Sequence, residues 1–361
     1  MRRLFRAGAK PGTEPARQGK GEGRERHSVD PTATLDMVAT SAGVSRSTVQ
    51  QVLDATGDVP ANLVDRVTAA MADVGYVPDR AGRAVSGHRS YSIALLIPET
   101  ASKFFADPYF AAVIQGAAAF IEDTDYVLNL LIGSPAESEK TLRYLQGGNV
   151  DGVLVISHHS DDSSYLLLSK SVPVVFAGRP TGLDGDDAYY VNVDNIGAGA
   201  MATRHLIERG HTRIATIAGP QNMVAAVDRV TGWRNAIEAA GLTPGPIESA
   251  DFTPVGGVYA MRRLLKQEQT FDGIFVASSQ MASGALTVLR DAGLKVPTDV
   301  GITTIDNDQF AINAEPPLTT MEQPTTLHGA KIAEMLIDII EGRPVDKHAT
   351  IATTLVVRDS A

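Results

Sequence analysis

Polar side chains that can read DNA bases follow a glycine-containing turn near the start of the chain. Arg46, Ser47 and Gln51 lie within one helical stretch directly after Gly43. Arginine can form paired hydrogen bonds with guanine and glutamine with adenine, so this spacing is typical of a helix that enters the major groove. A plain three-helix bundle with solvated polar positions has the same pattern, and from the pattern alone this alternative stays open.

The sequence has no comparable arrangement for catalysis. His158 and His159 are adjacent, whereas two metal ligands on one helix face stand four residues apart, so we interpret this pair as part of a solvated loop. No Gly-x-Gly-x-x-Gly follows the first predicted strand, there is no Walker loop, and Ser279 is not in a nucleophile-elbow context. We therefore expect no enzymatic activity, no cofactor and no metal.

Three short helices must position the base-reading side chains. Thr34 and Ser45 supply capping hydroxyls for the first two helices, and Pro60 suits the first turn of the third. Gly43 can adopt the tight conformation that the turn between the first two helices needs. These features predict a helix-turn-helix domain over residues 32–78.

From residue 91 onward, short β-branched runs alternate with helical stretches. Ser92–Ile97, Gly152–Ile156 and Ile214–Ala218 are examples of such runs. Strand–helix–strand repetition predicts parallel sheets with right-handed crossovers. About 270 residues is long for one doubly wound sheet. We therefore expect an α/β sensor of two lobes, with a ligand in the crevice at the carboxyl ends of the strands.

Charge is distributed unevenly along the 361 residues, whose net charge is −10. Residues 1–30 have eight Lys/Arg against four Asp/Glu, residues 31–90 have five against six, and the acidic excess lies in the remainder. We interpret residues 1–31 as a disordered basic tail, which is either a solvated extension or an arm that assists DNA binding. The near-neutral helix-turn-helix gives only weak electrostatic support for DNA binding.

Composition indicates a globular protein of the cytoplasm. Cysteine is absent, which fits a reducing compartment, and no apolar run approaches the ~20 residues of a membrane span. The basic start is not followed by the apolar core of a signal peptide.

A series of motifs in a fixed order makes residues 32–361 resemble the lactose-repressor/galactose-repressor (LacI/GalR) family. The motifs are Ala42-Gly43-Val44-Ser45, Thr48-Val49, Gly75-Tyr76-Val77-Pro78, His205-Leu206, Arg209-Gly210-His211, Arg229 before Gly232-Trp233, Val296-Pro297-Thr298-Asp299-Val300, Pro317-Leu318-Thr319-Thr320, and Val357-Arg358. The resemblance implies a periplasmic-binding-protein-like sensor behind the helix-turn-helix. Its lobes would be an N-lobe of about 91–190 plus 323–342 and a C-lobe of about 191–321 plus 345–361.

The resemblance also implies DNA contacts. Those expected within the helix-turn-helix come from Thr34, Ser45, Arg46, Ser47, Thr48, Gln51 and Tyr76. A hinge helix within residues 79–90 would add Arg80 and Arg83, and Val85 would be its minor-groove wedge. Gly82 weakens this helix by roughly 1 kcal/mol relative to alanine, and a plain linker is the alternative. Together with the unusual Gln50 and Pro60, these departures predict an altered operator that is bound with lower affinity.

A ligand cleft between the lobes is the second implied site. The family's positions correspond to Tyr109, Phe110, Ser157, Arg179, Arg229, Phe252, Ser278, Asp306 and Gln323. Ser278 and Ser279 stand where relatives usually have Asn-Asp, and Gly178 stands at a position that is often Asp. We therefore expect a ligand that is larger than a hexose or less rich in hydroxyls. A phosphorylated or acidic sugar and a non-sugar ligand remain open.

The combined interpretation is a homodimeric repressor that binds a pseudo-palindromic double-stranded operator. A small, sugar-like effector would change the angle between the lobes and so control DNA binding, either as inducer or as co-repressor. Three alternatives are a ligand-binding protein with a degenerate DNA-binding domain, a solute-binding protein of a transporter, and a sugar-processing enzyme.

Overall fold

The computed structural model describes residues 34–53, 59–76, 89–133, 138–160, 168–180, 188–268 and 270–361. The chain divides into two compact units, Met1–Pro78 and Asp79–Ala361, and each is described by itself. The predicted basic tail and the predicted hinge helix with Arg80, Arg83 and Val85 lie outside the described residues.

Three helices form the described part of the first unit, as predicted: α1 (Leu35–Ala42), α2 (Arg46–Leu53) and α3 (Ala61–Val74). Their apolar faces meet in one core in which Val38, Val49 and Val67 are fully buried. Gly43 ends α1 with φ 64°, in the left-handed region that favours glycine. Pro60 stands one residue before α3, at its N-cap.

The second unit contains two six-stranded sheets, and the lobe around each sheet keeps the name N-lobe or C-lobe. The N-lobe sheet has the order β11–β5–β4–β3–β1–β2 and is formed by β1 (Ser92–Ile97), β2 (Val127–Ile132), β3 (Gly152–Ile156), β4 (Val174–Ala177), β5 (Tyr189–Val193) and β11 (His348–Ile351). The C-lobe sheet has the order β12–β10–β9–β8–β6–β7 and is formed by β6 (Ile214–Ala218), β7 (Ile247–Ser249), β8 (Gly273–Val276), β9 (Gly301–Ile305), β10 (Thr319–Glu322) and β12 (Thr354–Val356). All pairings are parallel except that of β12 with β10.

Helices cover both faces of the sheets, so the central strands read as continuous buried runs. The described helices of this unit are α4 (Ala101–Ala106), α5 (Pro108–Ile121), α6 (Ser138–Gln146), α7 (Asn195–Glu208), α8 (Val224–Ala239), α9 (Pro254–Leu264), α10 (Ser279–Asp291), α11 (Gln309–Ile312) and α12 (Thr325–Glu341).

Three of these helix pairs approach each other through glycines. In each pair, both helices contribute one glycine to the contact. A Cβ added to any of these glycines would lie within 2.2 Å of a backbone carbonyl oxygen of the facing helix. The pairs are α5 with α12 (Gly116, Gly329), α7 with α8 (Gly199, Gly232) and α9 with α10 (Gly257, Gly284).

The chain crosses between the lobes three times. The crossings follow β5, β10 and β11, and they leave α12 packed in the N-lobe. The predicted lobe boundaries at 190 and 345 are wrong: β5 continues to Val193, and β11 pairs with β5 in the N-lobe sheet. The first boundary was placed inside β5 itself, whereas the second error arises because β11 is a short strand that is assigned by a pairing partner distant in sequence.

Candidate functional site

The start of α2 presents polar side chains to solvent. Ser45 caps this helix by accepting a hydrogen bond from the Thr48 amide at 3.0 Å. Ser45, Arg46, Ser47 and Gln51 are exposed, and Thr48 is half-buried. The first turn of a helix with exposed Arg, Ser and Gln can place donors and acceptors against base edges.

Other predicted DNA contacts have roles within the unit as well. The Arg46 guanidinium lies 3.3 Å from the Asp36 carboxylate, but both side chains are about two-thirds exposed, so this pair is weak. The Thr34 hydroxyl caps α1 by accepting from the Met37 amide. Tyr76 is half-buried against the three-helix core.

Sequence reasoning missed a contact that holds the turn. Arg66 of α3 donates from Nη2 to the Ala42 carbonyl oxygen at 2.5 Å, where α1 ends. A helix terminus has carbonyl groups without intrahelical partners, and a charged donor satisfies them well. Arg66 therefore connects the third helix to the turn that orients α2.

All nine predicted ligand-binding side chains line one cavity between the lobes. They are Tyr109, Phe110, Ser157, Arg179, Arg229, Phe252, Ser278, Asp306 and Gln323. Six of them follow a strand, three directly and three within three residues, and the carboxyl ends of parallel strands meet at one edge of each sheet. Sequence reasoning did not select several further lining residues: Lys103, Asp107, His158, Asn192, Asn195, Gln280 and His328. Asn192 and Asn195 flank the end of β5, so the same strand-end rule could have found them.

Three of the cavity residues have backbone conformations that L-amino acids rarely adopt. Ser157 has φ 62°, Phe252 has φ 66° and Asp306 has φ 79°. Each of the three follows the end of a strand, after β3, β7 and β9 respectively. Local strain of this kind persists where the surrounding structure holds it, and it concentrates at functional sites.

Arg229 is buried in the floor of the cavity. Its Nε donates to Asn195 Oδ1 at 2.9 Å and its Nη1 donates to the Ala277 carbonyl at 2.6 Å. The guanidinium carbon lies 5.7 Å from the centre of the Phe252 ring. Burial lowers the pKa of Arg229, and the charge of Asp306 opposes this effect. Within the described residues, Arg229 and Asp306 influence each other through charge without forming an ion pair.

Asp306 accepts a hydrogen bond from Gln323 Nε2 at 2.5 Å. Burial raises the pKa of Asp306 to about 6, Arg229 lowers it, and the carboxylates of Asp308 and Asp107 raise it further. Burial also raises the pKa of Tyr109, which therefore stays a neutral hydroxyl that can both donate and accept. Near neutral pH the cavity thus combines a carboxylate acceptor, a guanidinium and a phenol beside aromatic faces.

Direct hydrogen bonds join the lobes at the cavity, among them the following two. Arg179, which follows β4 in the N-lobe, donates from Nη2 to both oxygens of Asp228 on α8 at 3.0 and 3.2 Å. The Ser160 amide donates to the Asn222 carbonyl oxygen at 2.8 Å. Arg179 was predicted only as a ligand contact, but it lines the cavity and also spans it.

The adjacent histidines are not solvated, so that interpretation is wrong. The His158 ring packs edge-on against Phe176, with centroids 5.4 Å apart, and burial lowers its pKa to about 4. His159 Nε2 lies 3.0 Å from Glu99 Oε1, and this bond raises the pKa of His159. Both rings are ordered by the packing of the N-lobe, which sequence adjacency could not indicate.

These two units together, a helix-turn-helix and a two-lobed sensor with a polar and aromatic cleft, define the class of ligand-regulated transcription factors. Residues 34–79 match the family of bacterial regulatory proteins called the lacI family, and residues 203–361 match a periplasmic binding protein-like domain.

Similar proteins extend the match to nearly the whole chain. The HTH-type transcriptional regulator CelR of Thermobifida fusca is 42% identical over 91% of this chain and 98% of its own. A solved CelR–cellobiose complex superposes with a TM-score of 0.73 at 40% identity, covering 91% of this chain and all of that one. The repressor CytR of Escherichia coli K12 is 32% identical over 91% of this chain and 96% of its own.

The chain belongs to the lacI family, and it is a DNA-binding transcriptional regulator controlled by a ligand. The predicted fold class, family and general function are confirmed. These relatives are described as transcriptional regulators rather than as enzymes or solute-binding proteins. No helix in the described part of the chain has the length and apolar character needed to cross a membrane.

Proposed function

We propose that this chain is a cytoplasmic repressor whose operator binding is controlled by a neutral glucose disaccharide such as cellobiose, bound between the lobes. The observation that carries the proposal is the likeness to CelR along almost the full length of both proteins, together with the CelR–cellobiose complex. The sequence predicted a ligand larger than a hexose or poorer in hydroxyls, and a disaccharide satisfies the first alternative.

Charge in the cleft favours a neutral ligand over a phosphorylated one. Lys103 donates to Glu99 at 2.7 Å, and Arg179 is paired with Asp228, so each of these cations already has a carboxylate partner. Arg229 donates two of its groups to protein oxygens and lies near the charge of Asp306. A phosphate would have to break such pairs, whereas sugar hydroxyls can donate to Asp306 and accept from Arg229.

Exposed apolar residues on the same edge of both sheets support a homodimer. β2 is the edge strand of the N-lobe sheet, and its Val127 and Leu130 are 62% and 43% exposed. β7 is the corresponding edge of the C-lobe sheet, and the neighbouring α9 exposes Val255 and Tyr259. Contiguous exposed apolar residues are a feature of interaction surfaces, and a two-fold dimer would bring two helix-turn-helix units to one operator.

The proposal is tested by fluorescence anisotropy with DNA from the region upstream of the protein's own gene. The purified full chain is titrated at two salt concentrations against scrambled competitor, because non-specific binding is lost as salt rises. Cellobiose is then added, with maltose and glucose as matched controls that change the linkage or remove the second ring.

Retention of DNA against competitor, with release or tightening by cellobiose alone, is the expected result. Sequence-specific DNA binding that none of the sugars alters would reject the disaccharide as effector but would still support a DNA-binding regulator. Weak binding that is indifferent to sequence, with or without sugar, would reject the repressor and support the alternative of a degenerate DNA-binding domain.

A further inference from the structure

A buried carboxylate behind the cleft wall connects three residues of the N-lobe. Glu99 is 7% exposed, and its Oε1 accepts from Lys103 Nζ at 2.7 Å, from Ser157 Oγ at 2.8 Å and from His159 Nε2 at 3.0 Å. Burial raises the pKa of Glu99, but the bonds from His159, Lys103 and Ser157 outweigh it and hold the pKa below its ordinary value. Glu99 is therefore an ionised carboxylate that can only accept hydrogen bonds.

Glu99 determines how two cavity residues face a ligand. Lys103 and Ser157 line the cavity, and Glu99 binds both from behind. Because Ser157 donates its hydroxyl proton to Glu99, its oxygen can only accept from a ligand. Lys103 is fixed in place as a donor. The wall thus offers an acceptor and a donor side by side, which suits vicinal sugar hydroxyls.

The same carboxylate anchors the segment that reaches the C-lobe. His159 is bound to Glu99, and the next residue, Ser160, donates its amide proton to the Asn222 carbonyl oxygen at 2.8 Å. Asn222 lies between β6 and α8, in the C-lobe, and its side chain also raises the pKa of His159. Residues 157–160 therefore have a fixed end on Glu99 and a bond across the cleft.

We propose that Glu99 is a positioning residue for effector binding, which holds residues 157–160 in the conformation that closes the N-lobe onto the C-lobe. The choice of sugar rests on the proposed function, but closure is a property of the protein without sugar. Loss of Glu99 would free Ser157 and His159 together, and the Ser160–Asn222 bond would open more often.

Hydrogen exchange of the Ser160 amide measures this opening directly. The full chain is compared with Glu99→Gln, which keeps the shape but loses the charge, and with Glu139→Gln as the control. Glu139 lies in the same lobe with a side chain 87% exposed. His159→Ala is a second variant, which keeps the buried carboxylate but removes both its link to Ser160 and the hydrogen bond of His159 to the Asn222 side chain. Overlapping peptides that isolate the Ser160 amide are followed by mass spectrometry, and cellobiose binding is measured by calorimetry.

We expect Ser160 to exchange at least tenfold faster in Glu99→Gln and faster in His159→Ala, while the amides of β3 and the Glu139→Gln control keep their rates. Cellobiose affinity should fall at least tenfold in Glu99→Gln. Unchanged Ser160 exchange in both variants would overturn the proposal. An equal acceleration in β3 would also overturn it, because Glu99 would then only stabilise the lobe. If cellobiose does not bind the unaltered chain but Ser160 responds as expected, the proposed ligand fails and the role of Glu99 stands.

Discussion

Asp306 is kept in the cavity at an electrostatic cost. Its pKa of about 6 lies above the ordinary 3.8 because burial disfavours the ionised form more than Arg229 favours it. Between about pH 4 and pH 6 the folded protein therefore keeps a proton that the unfolded chain has released. Folding stability falls as pH rises through this window and stays at the lower value above it, a loss of about 3 kcal/mol at most. A carboxylate kept at a cost to folding is what we expect of a ligand-binding group.

Replacing Asp306 with asparagine should therefore stabilise the protein and weaken its effector binding. At pH 7.5 we expect Asp306→Asn to raise the Tm by about 5 °C, and this gain should shrink towards zero at pH 4. Cellobiose affinity should fall at least tenfold, because a charge-assisted acceptor is lost. Calorimetry across this pH range tests both effects, with the exposed Asp346→Asn as control. A Tm gain independent of pH would show that the carboxylate charge is not its cause.

The positions of the cleft residues could be predicted from the sequence, but their partners could not. Residues such as Ser157, Phe252 and Asp306 were placed because family motifs and strand ends locate them. Arg179 pairs with Asp228, 49 positions away, and Glu99 binds His159, 60 positions away. The first pair depends on how the two lobes meet and the second on how two strand ends meet within the N-lobe, and no local pattern reports either. All nine ligand assignments remain predictions until binding is measured.

At the scale of single elements, the packing of α7 against α8 affects the position of Arg229 in the ligand cavity. The added Cβ of an alanine at position 199 would lie 2.2 Å from the carbonyl oxygen of Arg229 itself. Relief of this clash would push α7 and α8 apart at the residue that carries the buried guanidinium. A packing change between two helices therefore becomes a change in the cavity floor.

Gly199→Ala should lower both stability and effector affinity. Overpacking of a close helix contact costs about 1–3 kcal/mol, so we expect the Tm to fall by several degrees. Cellobiose affinity should fall in parallel, because Arg229 is displaced. Thermal unfolding and calorimetry check the two effects, and Arg204→Ala on the exposed face of the same helix is the control. A loss of Tm with unchanged affinity would contradict this coupling.

In the first unit, Arg66 allows a second test at this scale. Arg66→Met removes the donor to the Ala42 carbonyl and should weaken operator binding at least tenfold, because the turn before α2 loses its brace. Arg66→Lys keeps a positive charge but not the same reach. Fluorescence anisotropy of both variants distinguishes loss of the hydrogen bond to the turn from loss of the positive charge. Full recovery of affinity in Arg66→Lys would mean that the charge acts on the phosphates rather than on the turn.

The sequence predicted long buried strands better than short edge strands. β1, β3 and β6 have the predicted bounds because their β-branched and aliphatic runs are buried on both faces. β7, β10, β11 and β12 were not predicted, since each has only three or four residues and exists through a distant partner. The second and third lobe crossings follow β10 and β11, which is why the predicted boundary at 345 failed.

At the scale of the whole molecule, DNA and ligand must affect each other equally. Whatever factor the effector imposes on operator affinity, the operator imposes on effector affinity. In the proposed dimer, two chains would bind a pseudo-palindromic operator, and dimer formation would enter the same cycle as a third equilibrium. Substitutions at the exposed apolar edges should therefore change operator affinity, although they lie in neither the DNA-binding surface nor the ligand cavity.

Leu130→Lys places a charge on the exposed edge strand β2 and should convert the dimer into monomers. Operator affinity should fall by about a hundredfold or more, because each monomer contributes one helix-turn-helix, whereas binding of cellobiose to a folded sensor should persist. Analytical ultracentrifugation with fluorescence anisotropy measures both. Val357→Lys, a half-exposed apolar position elsewhere on the C-lobe, is the control. A Leu130→Lys protein that remains dimeric would remove β2 from the interface.

The order of elements along the chain also sets an order of assembly during synthesis. The three helices of the first unit are contiguous, so they can fold soon after they leave the ribosome. Neither lobe can do the same, because β11 and β12, the outer strands of the two sheets, both come from the last residues of the described chain. The nascent chain thus carries a folded helix-turn-helix well before its sensor has folded. Only monovalent, weak contact with DNA is open to it until β11 and β12 have been synthesised.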